Sequence, residues 1–156
     1  MPCFLGKYDD LAFKENKMKI ALIEPPHVYL VQQKTQAPMG LMYMAAILEA
    51  DGHDVRIVRL DTAEHKDWLY AIPQADIYGI YAVSIDYTTA KDIARLLKSK
   101  RKNATVIIGG YHVTADLDNV LKDDADIWDA VCAGEGEGII KKVIDDFKNN
   151  RLQKVY

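Results

Sequence analysis

Cysteine is scarce in this chain: Cys3 and Cys132 are the only two in 156 residues, and they sit in unrelated contexts. No Cys-x-x-Cys or Cys-x-x-x-Cys-x-x-Cys spacing exists, which excludes a disulfide scaffold and any familiar zinc or iron–sulfur ligand set, and argues for a reducing compartment. No apolar run reaches bilayer length and the N-terminus lacks an apolar signal core, so no membrane partner is expected and a cytoplasmic location is the default. An excess of positive charge is missing too. With 20 Lys and Arg against 23 Asp and Glu, net −3, there is no electrostatic reason to expect a nucleic-acid partner. The one dense basic stretch, Lys98 to Lys102, falls at a predicted helix end, where cations favour the dipole and read as a solvated cap.

A glycine-rich nucleotide loop is also absent. Dinucleotide and P-loop sites need glycines directly after the first strand so that backbone amides can approach a pyrophosphate; here Glu24-Pro25-Pro26-His27 stands there. The same prolines exclude the hydroxyl-rich phosphate loop of a flavodoxin. A third strand ending in Val83-Ser84, without an acceptor aspartate, excludes a phospho-receiver.

What is present is an ordinary globular balance, 49% hydrophobic and 28% charged, on a length that suits one domain. Residues 1–17 carry mixed charge without a period and read as an extension, 18–148 as the domain, and 149–156 as an exit linker. Lys19 to Ile23 is a short apolar strand stopped by the prolines. Residues 27–38 form a loop long enough to contact a ligand. Pro38-Met39-Gly40-Leu41 opens a helix to Ala50, and Gly52 suits its left-handed cap. Asp54 to Leu60 alternates as an edge strand does, whereas Ile77 to Val83 reads as a central strand. Thr88 to Lys98 is an amphipathic helix that either Asp86 or Thr88 could cap. Further strands at Thr105 to Ile108 and Trp128 to Val131, a short helix at Leu117 to Lys122, and a last helix lined by Ile140, Val143, Ile144 and Phe147 complete the pattern. Trp68 and Tyr70 form an aromatic pair in the second connection, read as a satellite core or a docking face. His53 reads as structural.

Strands and helices alternating at this spacing specify an α/β three-layer sandwich, with a five-stranded parallel sheet in flavodoxin-like order 2-1-3-4-5. The ligand crevice should lie at the carboxyl ends of the strands where their order reverses, between the first and third. Small or backbone-exposing residues gather there: Ser84 and Thr88 after strand three, Gly109-Gly110 after strand four, and Gly134 to Gly138 after strand five. Such loops can admit a large flat ligand. Glu135 and Glu137 read as acceptors of backbone hydrogen bonds near the last helix N-terminus.

In ordered combination, Pro25-Pro26, Pro38-Met39-Gly40-Leu41, Gly52-His53-Asp54-Val55, Asp76 to Ile80, Ile107-Ile108-Gly109-Gly110-Tyr111-His112-Val113-Thr114 and Gly134-Glu135-Gly136-Glu137 resemble the cobalamin-binding domain of B12-dependent radical SAM enzymes. The resemblance covers about residues 18 to 148. It implies a module that presents cobalamin to a radical SAM catalytic domain, in cis or in trans, for methyl transfer or related radical chemistry. No catalytic activity is expected from this chain alone. The iron–sulfur cluster and S-adenosylmethionine would come only through that partner or a missing domain. By position, the resemblance implies that Ser84, Ile85 and Thr88 line a pocket for the dimethylbenzimidazole tail. Gly109 and Gly110 would let it pass, Gly134, Glu135, Gly136 and Glu137 would meet its outer part, and Tyr111 and His112 would adjoin it. B12 modules of the methionine synthase type carry Asp-x-His-x-x-Gly after strand one. Glu24-Pro25-Pro26-His27 departs from that spacing, so the protein ligand to cobalt is left open. The alternative expectation is a non-catalytic interaction domain of the same fold that does not bind cobalamin.

Overall fold

Five short apolar runs become five parallel strands because each is bounded by turn residues and followed by a helix that returns the chain to the same end of the sheet. A computed structural model describes residues 17–27, 29, 30, 36–61 and 65–156. The expected N-terminal extension and the core of the loop after the first strand lie outside the described residues. The strands are β1 (Lys19–Glu24), β2 (Asp54–Arg59), β3 (Ile77–Tyr81), β4 (Thr105–Gly109) and β5 (Ala130–Cys132). Their order is β2-β1-β3-β4-β5, with every pairing parallel. This is the flavodoxin-like sandwich that the alternation specified. In β2 only Val55 and Val58 are buried, as befits an edge strand.

Among the described residues six helices cover the sheet: α1 (Met39–Ala50), α2 (His65–Ala71), α3 (Tyr87–Lys100), α4 (Tyr111–Ala115), α5 (Leu117–Asp123) and α6 (Gly136–Lys148), with a single 3₁₀ turn at Ser84–Asp86 before α3. Side chains alternate across each strand, so each face draws its core from every second residue. Ala21, Ile23, Tyr78, Ile80, Val106 and Ile108 pack against α2, α3, α4 and α5. Ile20, Leu22, Ile77 and Ile107 pack against Leu41, Ala45 and Leu48 of α1 and Val143 and Ile144 of α6. Fully burying one such aliphatic side chain is worth about 1.5–3 kcal/mol, so both faces contribute strongly.

Several local expectations need correction. The aromatic pair divides: Trp68 is 1% exposed in the core and Tyr70 is 91% exposed, because a helix at 65–71 turns residues two apart to different faces. Arg101 is not solvated. It is buried and donates to Tyr78 Oη at 2.8 Å and to the carbonyls of Pro73, Leu69 and Ile72, pinning the connection before β3. Asp86 holds the N-cap position of α3 without making a cap bond, and Glu135 does the same for α6. The last residues lie on the sheet edge. Val131 N–H donates to Lys154 O at 2.8 Å, and Tyr156 N–H donates back to Val131 O at 2.9 Å, so the free rim of β5 is covered. No helix among the described residues is long and apolar enough to cross a membrane.

Candidate functional site

The face carrying α1 and α6 stops short of being filled. On it the strands place residues in two storeys. The lower storey runs Leu22, Gly79, Ile107 across β1, β3 and β4, and the upper runs Tyr81, Gly109, Cys132 across β3, β4 and β5. Gly79 and Gly109 leave the sheet without side chains where neighbouring positions carry large ones. A slot of about 520 Å³ opens there, between the sheet and α1 and α6 at the carboxyl ends of the strands. Six of the nine glycines line it: Gly40, Gly79, Gly109, Gly110, Gly134 and Gly136. Walls of this kind present flat backbone to a ligand, and a planar group fits between them without meeting side chains.

Gly110 has φ 111°, and a Cβ added there would lie 2.6 Å from Ala82 O and 2.9 Å from Tyr81 Cδ2. Only glycine fits that turn. Gly79 is tight toward its neighbour, with an added Cβ 3.0 Å from Leu22 Cδ2. Gly136 lets the start of α6 approach α1, since a Cβ would be 2.8 Å from Met44 Sδ. Thr114 ties the two glycine loops together: its hydroxyl donates to Gly110 O at 3.1 Å and accepts the Gly134 N–H at 2.9 Å. Cys132 faces the slot as a free thiol, which burial pushes up to about 12, so it stays protonated at neutral pH.

Of the residues expected at the site, Gly109, Gly110, Tyr111, Gly134, Glu135, Gly136 and Glu137 come together around the slot. Ser84, Ile85, Thr88 and His112 do not line it. Ser84 and Ile85 occupy the exposed 3₁₀ turn and Thr88 the exposed start of α3. The short α4 swings His112 away, placing its Nδ1 3.1 Å from Ser84 Oγ and its ring 4.0 Å from the Tyr87 ring. Met44, Thr114 and Gly79 were missed. The fold pairs them with distant residues, and only the Gly79 interruption of an apolar strand was visible in the sequence.

Beside the slot, the turn after β1 carries a charged cluster. His27 Nδ1 lies 2.6 Å from Asp86 Oδ2, and its Nε2 lies 3.5 Å from Glu24 Oε1. Arg59 pairs with the other oxygen of Glu24. Asp86 is 1% exposed and its Oδ1 is buried without a hydrogen-bond partner. Burial raises its pKa, against the pull of His27. With a carboxylate at each ring nitrogen, His27 is held as a tie between the β1 and β3 ends.

Residues 30–144 match the B12 binding domain family. The chain belongs to the B12-binding domain family. Among its relatives, an uncharacterized methyltransferase of Pyrococcus horikoshii is 31% identical over 144 residues, covering 88% of this chain and 31% of that protein. A hopanoid C-3 methylase of Methylococcus capsulatus is 26% identical over 135 residues, covering 82% of this chain and 26% of that protein. A bacteriochlorophyllide d C-8(2)-methyltransferase of Chlorobaculum tepidum is 30% identical over 81 residues, covering 52% of this chain and 17% of that protein. This B12-binding domain therefore spans about a third or less of the length of the curated relatives it matches. Among solved structures, the N-terminal domain of a hypothetical protein of Thermotoga maritima superposes with TM-score 0.51 at 23% identity, over 82% of this chain and 98% of that one, a likeness of fold alone.

These findings correct the expected association. The family is named for B12 binding and the relatives for methyl transfer, which supports a cobalamin-binding module, and the radical SAM partner, through which an iron–sulfur cluster and S-adenosylmethionine were expected, is withdrawn. Metal binding by the chain's own side chains finds no support: among the described residues no group of three or more His, Cys, Asp or Glu could hold a metal ion. The family match supports a cobalamin-binding module over the alternative of an interaction domain without the cofactor, and the geometry beside the double glycine adds nothing to that alternative. Tyr111, the bulky neighbour of the double glycine, is 75% exposed and does not fill the slot.

Proposed function

We propose that this B12-binding domain holds cobalamin, with the nucleotide tail in the slot, and presents the corrin to a methyltransferase catalytic unit. The observation that carries this reading is the glycine-walled slot at the carboxyl ends of the strands, in a chain whose family is named for B12. The fit is chemical as well as steric. Gly79 and Gly109 leave a flat floor, Gly110 holds a conformation no side chain permits, and the upper storey offers hydroxyl, carboxylate and amide groups. Bound there, cobalamin supplies a cobalt centre that can receive and hand on a methyl group.

The chain's own residues then have separable tasks. Leu22, Ile107 and Met44 exclude water from the lower storey. Thr114 fixes the spacing of the Gly110 and Gly134 loops, and so the width of the slot. Glu135 and Glu137 stand exposed at the rim, where sugar hydroxyls or side-chain amides of the cofactor can donate to them. Ser84, Ile85, Thr88 and His112, outside the slot, and Tyr111, at its exposed rim, would border a corrin lying over the strand ends. His27, engaged by Asp86 at Nδ1 and facing Glu24 at Nε2, does not line the slot.

Reconstitution with hydroxocobalamin under anaerobic conditions, followed by gel filtration and a visible spectrum, tests the proposal. Retention of corrinoid near one equivalent supports it. Loss of all corrinoid absorbance on the column overturns it.

A further inference from the structure

The two storeys of the slot differ in chemistry, and that difference bears on which corrinoid the chain accepts. The lower storey is built from Leu22, Gly79 and Ile107 of the strands, and Leu41, Met44 and Ile140 of the helices line the slot opposite the sheet. Among the described residues it offers no hydroxyl, amide or charged side chain, and the strand amides there are committed to the sheet ladder. Every polar side chain lining the slot belongs to the upper storey or the rim: Tyr81, Tyr111, Thr114, Cys132, Glu135 and Glu137. A group pushed to the bottom is therefore desolvated without compensation, whereas groups near the mouth find partners.

From this arrangement we infer that the slot selects the lower base of the corrinoid, taking an apolar dimethylbenzimidazole in preference to a purine. The inference rests on the cobalamin reading and goes beyond it. An adenine presents an amino group and several ring nitrogens, and each would be buried unpaired at the bottom of the slot. Dimethylbenzimidazole presents a single free ring nitrogen, and its two methyl groups add apolar contact with Leu22, Ile107 and Met44. A pocket that merely lacks partners discriminates modestly, by about ten- to a hundredfold, rather than absolutely.

Equilibrium titration of the full chain with three corrinoids tests this: cobalamin, its adeninyl counterpart, and cobinamide, which has no nucleotide tail. Cobalamin is expected to bind at least about tenfold more tightly than the adeninyl form, and cobinamide weakest of the three. Equal affinity for the two bases, or preference for adenine, overturns the inference and leaves the cofactor reading standing. Cobinamide binding as tightly as cobalamin also overturns it, since the tail then lies outside the slot. Failure of all three to bind overturns the cofactor reading and the inference with it. Gly79→Ala supplies an independent check, because its Cβ narrows the lower storey 3.0 Å from Leu22 Cδ2. The preference for cobalamin over cobinamide should shrink in this variant, while cobinamide binding itself stays unchanged; an unchanged preference contradicts the placement of the base.

Discussion

The two faces of the sheet are made from the same strands, yet one is closed and the other is open at its carboxyl end. At one height β3 and β4 send Ile80 and Ile108 to the face covered by α2–α5, where they are 2% and 0% exposed. The adjacent positions, Gly79 and Gly109, send nothing to the face covered by α1 and α6. A one-residue alternation thus separates a packed core from a ligand slot without any change in topology. The closed face supplies stability, and the open one gives up about two large side chains of packing to keep its space.

Substitutions on the two faces should part binding from stability most sharply. Ile93, wholly buried on the closed face, is expected to cost about 2–5 kcal/mol when truncated to alanine, while corrinoid affinity stays near that of the parent. Gly79→Val should do the opposite in kind: with its branched side chain in the slot, retained corrinoid falls by about a hundredfold or more even in molecules that fold. Urea denaturation and corrinoid titration read both, and an I93A variant that lost binding as completely as G79V would erase the distinction.

Gly110→Ala comes next, at about 2–4 kcal/mol, because the added carbon meets Ala82 O in a backbone conformation that disfavours it. Smaller again is Thr114→Val, which keeps the shape and removes the hydroxyl between the glycine loops. Its cost in affinity is about three- to tenfold, and Thr114→Ser should restore it. Faster amide exchange at Gly134 in the valine variant would separate loosening of the loop from general destabilisation. Cys132 reports the slot directly. With its thiol at about 12, alkylation should be slow at neutral pH, rise with pH without a plateau below that value, and slow further when cobalamin is bound. The smallest effect belongs to His27→Ala. If that ring is a tie rather than a cobalt ligand, the visible spectrum of the bound corrinoid is unchanged, and a spectral shift would show otherwise.

The strand order was legible in the sequence because β2 alternates where β3 and β4 do not, and the glycine loops were legible because Gly109-Gly110 and Gly134 to Gly138 punctuate strand ends. The face on which the slot opens was not. Ser84, Ile85 and Thr88 follow β3 as closely as Gly110 follows β4, but the 3₁₀ turn carries them outside the slot while α4 turns His112 toward them. Thr114 acts on Gly134, 20 residues away, and His27 on Asp86, 59 residues away. Such pairs arise only when parallel strands bring their ends together, and no local pattern marks them. Asp86 shows the same limit: an aspartate before a helix reads as a cap, yet its carboxylate binds His27.

The central claim is that cobalamin lies in the glycine-walled slot, and amide chemical shifts of the isotopically labelled chain during titration with diamagnetic cobalamin test it most directly. Large perturbations should cluster at Gly79, Gly109, Gly110, Gly134 and Gly136, with Ile93 and its neighbours on α3 unmoved. Saturable binding that left those five glycine amides unshifted would contradict the account.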